Sequence, residues 1–299
     1  MRLFGLMALG LLAACASAEA PVAVADQAAV RSLGEILEQS PAADWRTVDQ
    51  NNLLYMQLPQ GRVIIELAAD YTPLHTANIQ ALARAHYWDG AAIVRSQENY
   101  VVQWGRDEAD PRPMGAGTAT LAPEFDRPRG GVQITRLADP DSYAREVGFA
   151  NGFPVASNGR ETWMAHCHGM VGAGRGDTAD SGSGAELYVV IGHAPRHLDR
   201  NIATVGRVLQ GMELLSTMPR GTGALGFYET PAERTTITSV RLGSELPASE
   251  RVNLEALRTD SATFRDVIDS RRFRRESWFL DPVGHINLCN VPLPVRVRS

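Results

Sequence analysis

Arg95 and Gln103 are two polar residues whose spacing fits a binding surface. They flank a tight turn at Glu98-Asn99, so antiparallel strands on either side of it would bring both side chains to one face. Tyr100 and Val101 would lie beside them. A guanidinium and an amide next to apolar side chains could together bind a peptide. The alternative interpretation is a plain hairpin whose exposed arginine has no binding role. Taken alone, these residues favour the plain hairpin.

A second group of residues, His166-Cys167-His168, could bind a metal, with His193 and His197 as further ligands. In a strand, neighbouring side chains point to opposite faces, so Cys167 would point away from both adjacent histidines. The spacing also differs from that of common zinc sites. We therefore expect no metal and no other cofactor, and interpret these histidines as ordinary strand and loop residues.

Signatures of several large enzyme classes are missing from the sequence. It contains no G-x-S-x-G, no P-loop, no H-E-x-x-H and no dinucleotide-binding glycine pattern after a strand. The glycine-rich segment from Gly172 to Gly184 lacks a P-loop lysine, and we expect a flexible surface loop there. The net charge of -5 comes without basic blocks, so we expect no nucleic-acid partner.

The N-terminus has the features of an export signal. Arg2 precedes an apolar run that is too short to span a bilayer, and residues 1–18 therefore read as a signal peptide. Leu12-Ala13-Ala14-Cys15 resembles the lipobox of bacterial lipoproteins, while Ala16-Ser17-Ala18 is an ordinary cleavage site. Both alternatives predict a periplasmic or cell-envelope protein, and the first adds a lipid tether on Cys15.

The remaining cysteines, Cys167 and Cys289, lie far apart in the sequence. An oxidising compartment would allow them to form a disulfide. Two separate buried thiols are an equally good interpretation, because free cysteine is often buried. The sequence leaves this choice open.

The elements that position Arg95 and Gln103 are mostly short strands. Two β-rich runs flank a Pro-Gln-Gly turn and predict a hairpin, and helical spacing predicts a helix from Pro73 to Ala85. Many short strands with few helices indicate an all-β barrel or sandwich. Further strands are predicted at Thr162–Cys167, Glu186–Ile191, Ala203–Val208 and Thr235–Leu242.

The two ends of the chain differ in character from its centre. Residues 19–50 form an alanine-rich lead-in with a weak helical pattern, and residues 244–299 form a C-terminal extension. Within the extension, Ser261 to Phe279 has an N-cap residue and an amphipathic pattern, which predicts one helix.

The order of motifs along the chain resembles that of the cyclophilins, from about Leu53 to Leu242. The motifs of the first half are Gly61–Leu67, Asp70–Pro73, Tyr87–Gly90 and Ile93–Gly105. Those of the second half are Pro123–Phe125, Trp163–Ala165, Ser183–Val189, His197–Asp199 and Val205–Met212. Their collinear order is more specific than any single motif.

This resemblance implies an all-β fold, in which residues 51–243 form an eight-stranded antiparallel barrel capped by helices. It also implies a peptidyl-prolyl cis-trans isomerase that acts on proline-containing peptides and unfolded exported proteins. Arg95 matches the catalytic arginine of the family and Gln103 its substrate-orienting glutamine. The resemblance also implies that Tyr100, Val101 and Tyr188 form the floor of the proline pocket and that Leu187 forms its wall. It further implies that the backbone groups of Ala165 and His166 form hydrogen bonds with the bound peptide.

The sequence departs from the family pattern at several of these positions. Val94 stands where the family has a histidine, and Ile202 where it has a further pocket histidine. His197 replaces a tryptophan that lies at the substrate site of the family. Residues 129–147 look like an insertion. Because Arg95 is kept, we expect activity. The alternative is a peptide-binding or chaperone module that uses the same barrel without catalysis.

Overall fold

Strands dominate the computed structural model, which describes residues 31–107, 110 and 112–298. The predicted signal peptide and Cys15 lie outside these residues. The α-helices are α1 (Leu33–Glu38), α2 (Pro73–Arg84), α3 (Met212–Ser216) and α4 (Ala262–Phe273). Within the described ranges, no helix has the length and apolar character needed to cross a membrane.

Seventeen strands are found in the described residues. The first nine are β1 (Trp45–Thr47), β2 (Leu53–Leu58), β3 (Gly61–Leu67), β4 (Ala92–Ser96), β5 (Val101–Gly105), β6 (Arg127–Pro128), β7 (Thr135–Arg136), β8 (Glu146–Ala150) and β9 (Phe153–Ser157). The others are β10 (Glu161–Met164), β11 (Met170–Ala173), β12 (Leu187–Val190), β13 (Thr204–Gln210), β14 (Thr235–Thr236), β15 (Ser239–Leu242), β16 (Leu254–Leu257) and β17 (Val295–Val297).

The largest sheet has the strand order β14-β4-β5-β12-β11-β13-β3-β2-β15, and each neighbouring pair is antiparallel. Its two end strands belong to one run, residues 235–242, which pairs first with β4 and then with β2. Between them, the amides of Ile237 and Thr238 bond to the carbonyls of Ala91 and Gln57. The sheet therefore closes on itself, and counting this run once gives the predicted barrel of eight strands.

The interior of the barrel is filled by every second side chain of its strands, as the pleat of a strand requires. Ile93, Val102 and Trp104 are each at most 1% exposed and belong to one apolar cluster. Helix α2 closes the barrel because Ile79 and Leu82 pack into the same cluster. The opposite faces of β4, β5 and β12 are left free to form a site outside the barrel.

A second sheet, with the order β6-β10-β9-β8-β7, lies outside the barrel strands. The predicted strand at Thr162–Cys167 corresponds to β10, which pairs with β9 and β6 and not with a strand of the barrel. Residues 129–147 contribute β7 and the start of β8 to this sheet. Phe149 of β8 packs edge-on against Phe264 of α4, with ring centroids 5.0 Å apart.

The two ends of the chain meet in a third sheet, in which β16 lies between β1 and β17. The predicted lead-in and C-terminal extension are therefore joined, and residues from 31 onwards form one compact unit. The predicted helix of the extension is α4, capped by the Ser261 side chain, which accepts a hydrogen bond from the Phe264 amide. Cys167 and Cys289 form a disulfide that links the extension to the residues after β10.

Candidate active site

A row of residues crosses four adjacent strands on the outer face of the barrel. Arg95 on β4 lies opposite Gln103 on β5, Gln103 lies opposite Tyr188 on β12, and Tyr188 lies opposite Gly172 on β11. Strict alternation would place Arg95 on the inner face with Ile93. The register shifts between Ile93 and Arg95, and this bulge turns the arginine outward.

The guanidinium of Arg95 is held from several sides. Its Nε donates to the carbonyl of Leu225 at 2.7 Å, its Nη1 donates to Oε1 of Gln103 at 3.2 Å, and its Nη2 donates to Oε1 of Gln97. The rings of Tyr100 and Phe227 have centroids 5.4 Å and 5.1 Å from its Cζ. Partial burial lowers the pKa of Arg95, yet an arginine pKa is so high that the group stays cationic at neutral pH.

The side-chain amide of Gln103 has a fixed orientation. Its oxygen accepts from Arg95, and its Nε2 donates to Oε2 of Glu186 at 2.8 Å. The amide oxygen faces a donor and the amide nitrogen faces a carboxylate, so exchanging the positions of the oxygen and the nitrogen would lose both hydrogen bonds. Gln103 thus connects the arginine to the carboxylate across the cleft.

An apolar cup lies next to Arg95. Val101, Tyr188 and Val190 form a buried cluster against which Leu198 and Ile202 pack. Ile202 stands where the family resemblance leads one to expect a histidine, so this wall of the cup is apolar here. The cup offers carbon surface next to the fixed cation of Arg95, a combination that suits a proline ring.

The floor residue Tyr188 is anchored from behind by His166. The Tyr188 hydroxyl lies 2.8 Å from Nε2 of His166, and Nδ1 of His166 lies 3.0 Å from the Asp199 carboxylate. A carboxylate only accepts, so Nδ1 donates to Asp199, and the tautomer with its proton on Nδ1 leaves Nε2 as the acceptor for the tyrosine hydroxyl. Burial raises the pKa of Tyr188 well above its usual value, so its hydroxyl remains a donor.

Asp199 holds this arrangement in place. It also accepts from the His166 amide at 2.9 Å and from Nε of Arg196 at 2.6 Å, and Arg196 in turn donates to Asp141 at 2.9 Å. Burial alone would raise the pKa of Asp199, but the His166 hydrogen bond and the Arg196 charge outweigh it and lower that pKa. The floor of the cup therefore rests on a charged, fully bonded network.

The cleft that contains these side chains has a volume of about 640 Å³. It extends beyond Arg95 and the cup toward the glycine-rich segment that follows β11. Its other lining residues are Tyr87, Met114, Ala119, Gly174, Arg175, Gly176, Ser181, Ser183, Ala185, Glu186, Leu225 and Phe227. A volume of this size accommodates a short peptide.

The structure brings together only part of the predicted set. Arg95, Tyr100, Val101, Gln103 and Tyr188 all line the cleft. The exposed ring of His197 does not line it, but lies parallel to Tyr100 with centroids 6.2 Å apart.

Leu187, Ala165 and His166 do not line the cleft. Leu187 points into the barrel core, because it neighbours Tyr188 on the same strand and must face the opposite side. The amide of Ala165 bonds to Pro154 and its carbonyl to Cys167, while the His166 amide bonds to Asp199. The two amides therefore already have internal partners, and both residues lie outside the cleft.

Sequence reasoning missed two segments that line the cleft. The segment Gly174–Gly176, expected to be a flexible surface loop, borders the site directly. The sequence analysis predicted no strand at β11 and counted Gly172 and Ala173 with the loop, so it gave no reason to place this segment beside the cleft. The other segment contains Leu225 and Phe227, and a bridge between Phe227 and Arg95 holds it against β4.

The metal hypothesis finds no support in the geometry. Cys167 is in the disulfide, and both ring nitrogens of His166 have protein partners. Within residues 31–107, 110 and 112–298, no three His, Cys, Asp or Glu side chains are grouped so that they could hold a metal ion. Burial lowers the pKa of His168, which accords with a neutral histidine.

A closed eight-stranded antiparallel barrel with an outward arginine, a glutamine and an apolar cup defines a cyclophilin-type protein. The family described as cyclophilin type peptidyl-prolyl cis-trans isomerase/CLD matches residues 53–242. The chain belongs to this family and is a peptidyl-prolyl cis-trans isomerase that binds proline-containing peptides.

Individual relatives agree with this assignment. The crystal structure of cyclophilin AquaCyp293 from Hirschia baltica is 25% identical, with a TM-score of 0.67 over 85% of this chain and 94% of the other. Probable peptidyl-prolyl cis-trans isomerases of Brucella suis biovar 1 and Brucella melitensis biotype 1 are each 23% identical over 177 residues. These alignments cover 59% of this chain and 76% of each relative.

Proposed function

We propose that this enzyme isomerises X-Pro bonds of exported proteins in the cell envelope, with Arg95 as its catalytic residue. The observation that carries the proposed role is the position of the guanidinium, fixed at the edge of an apolar cup by Gln103, Gln97 and the Leu225 carbonyl. A proline ring seated in the cup would place its nitrogen beside this cation.

The reaction itself requires no nucleophile and no acid-base pair. The barrier to X-Pro rotation, ~18–20 kcal/mol, arises from amide resonance. A hydrogen bond from Arg95 to the prolyl nitrogen engages its lone pair, which is available only when the bond is twisted. Arg95 would therefore bind the transition state more tightly than either planar form.

Gln103 would orient the substrate, because its amide is fixed between Arg95 and Glu186. Tyr188, Val101, Leu198 and Ile202 would hold the ring while the preceding carbonyl swings. The cup is stationary because the Tyr188 hydroxyl is bonded to His166.

The backbone of Arg175 is the best candidate to pair with the peptide, in place of Ala165 and His166. Its neighbour Gly174 bonds through its amide to Glu186, and the Gly176 amide bonds to Ser181. Among the residues that the structure describes, no hydrogen bond engages the amide or the carbonyl of Arg175 itself. An extended peptide lying along the cleft could therefore bond to both groups.

The assignment of Arg95 is tested by a protease-coupled isomerisation assay on an Ala-Pro peptide. We expect Arg95→Ala to lower kcat/KM by on the order of 100-fold or more, a loss typical of a removed transition-state donor. Arg84→Ala, which removes an exposed arginine from α2, is the matched control and should leave the rate unchanged. Equal activity of Arg95→Ala and the wild type would disprove the assignment, and an inactive wild type would favour the non-catalytic alternative.

The envelope location is supported by the signal-like residues 1–18 and by the Cys167–Cys289 disulfide, which suits an oxidising compartment. We expect the chain in the membrane or periplasmic fraction of the cell, with a lipid on Cys15. Intact mass and fractionation of a Cys15→Ala variant test this. Unchanged mass of the processed end and unchanged membrane content in the variant would refute the lipid tether, and a cytoplasmic wild type would refute export.

A further inference from the structure

The chain after α4 carries an exposed apolar loop, residues 277–284. Trp278, Leu280 and Val283 are 81%, 98% and 85% exposed, more than any other large apolar side chain in the described residues. Single exposed apolar residues are common, but three within six positions form a patch that needs an explanation.

Arginines border this exposed apolar loop. Arg271 and Arg272 pair with Glu276 and Asp139, whereas Arg274 and Arg275 have no ion-pair partner within the part of the chain that the structure describes. Arg274 lies 5.3 Å from the ring of Phe279, which packs at 4.9 Å against Trp278. The guanidinium of Arg274 and the ring of Trp278 therefore belong to one continuous surface.

We propose that the exposed apolar loop docks this enzyme onto an anionic phospholipid surface. Side chains that are more than four-fifths exposed project singly into solvent, which suits insertion into a bilayer interface better than packing against a flat protein face. Tryptophan prefers the headgroup level, and nearby arginines attract anionic lipids. Asp281 opposes this attraction, but the two unpaired arginines outweigh it.

The overall charge of the protein does not explain such an attraction, since the net charge of the full chain is -5. An anionic surface would repel the protein as a whole, so binding must come from a local patch. Shallow insertion also suits the irregular backbone here, because its peptide groups stay at the hydrated interface and need no internal partners.

Trp278 provides a specific reporter for this proposal. The other tryptophans, Trp45, Trp88, Trp104 and Trp163, are at most 8% exposed. Fluorescence of the full chain is measured with vesicles of phosphatidylcholine and phosphatidylglycerol, in which part of the phosphatidylcholine is brominated. Lipid bromine should quench Trp278 and shift its emission to the blue, and vesicles of phosphatidylcholine alone should produce much weaker quenching.

Two double variants separate the contribution of the arginines from that of the apolar side chains, and both keep Trp278 as the fluorescent reporter. Arg274→Glu with Arg275→Glu should weaken the partition into anionic vesicles by at least roughly 25-fold, about fivefold for each cation removed, with further weakening from the two added carboxylates. Leu280→Ser with Val283→Ser should weaken it on the order of tenfold or more through lost apolar burial. The matched charge control is Arg145→Glu with Arg160→Glu, two exposed arginines elsewhere, which should bind like the wild type.

The outcomes distinguish the loop from other causes of binding. Absence of quenching by anionic vesicles, equal quenching by both vesicle types, or equal binding of the Arg274/Arg275 variant would each overturn the proposal. Concentration-dependent shielding of Trp278 without vesicles would point to a second copy of the chain as the occupant and would also overturn it. Unchanged isomerase activity of every variant shows that each is folded.

Discussion

Replacement of Gly172 by alanine tests whether the floor of the cup is held as tightly as the geometry implies. A Cβ at this position would lie 2.2 Å from both Cζ and the hydroxyl oxygen of Tyr188. Non-bonded carbon atoms are comfortable at about 3.5–4.0 Å, so the ring must move by about 1.3 Å or more. The φ of Gly172 is open to any residue, and the tyrosine is thus the main obstacle.

The displacement has two consequences that can be measured separately. Moving the ring breaks the 2.8 Å bond to His166, and leaving a buried polar group unpaired costs about 1–3 kcal/mol of the free energy of unfolding. The shifted ring also narrows the cup. Misplacement of a binding group by about 1 Å can reduce a rate on the order of 100-fold, so we expect a fall of this size in kcat/KM.

The assays are denaturant unfolding and protease-coupled isomerisation of an Ala-Pro peptide. Gly34→Ala is the control, because its Cβ would meet no atom closer than 3.9 Å. In a Tyr188→Ala background, Gly172→Ala should add little further loss, since the clash has been removed. Wild-type activity and stability of Gly172→Ala, or additive losses in the double variant, would refute the reasoning.

Two further predictions concern stability. Asp199→Asn should lower the free energy of unfolding by about 3–5 kcal/mol at pH 7, because a buried partner of Arg196 and His166 loses its charge. Since the folded pKa of Asp199 is depressed, its contribution is present above an ordinary pKa of about 3.9 and is lost as pH falls through the folded value. The difference between wild type and variant in the free energy of unfolding should therefore be smaller at pH 3 than at pH 7, and a constant difference would argue against the ion pair. Cys289→Ser should cost about 5 kcal/mol by the chain-entropy estimate for a separation of 122 residues, measured by denaturant unfolding. A reductant should produce the same loss in the wild type and none in the variant, and a reductant-insensitive wild type would contradict the pairing.

Much of the catalytic face could be predicted from the sequence, because short-range rules determine it. The turn at Glu98-Asn99 places Arg95 and Gln103 on paired strands, and motif order identifies Tyr188. The outward direction of Arg95 depends on the bulge at Val94, which no turn rule predicts. A strict alternation would have placed the arginine in the barrel core.

The errors have identifiable physical causes. Leu187 could have been rejected from the sequence, because it alternates with Tyr188 on one strand and both cannot face the same pocket. The internal partners of Ala165 could not be predicted, since they depend on its place directly after β10, in a second sheet that local patterns do not reveal. The wall at Phe227 depends on contacts between segments far apart in the sequence, which local patterns do not contain.

Residues 129–147, which the family resemblance marks as an insertion, have a functional consequence that their position in the sequence conceals. A tyrosine in the floor of the cup needs a buried partner for its hydroxyl, and His166 supplies it only because Asp199 orients the imidazole. Asp199 is neutralised by Arg196, whose other partner is Asp141, a residue of the insertion. The inserted segment therefore stabilises the polar support beneath an apolar pocket. A floor built from phenylalanine would need none of these groups, so the insertion and the hydroxyl of Tyr188 are parts of one arrangement.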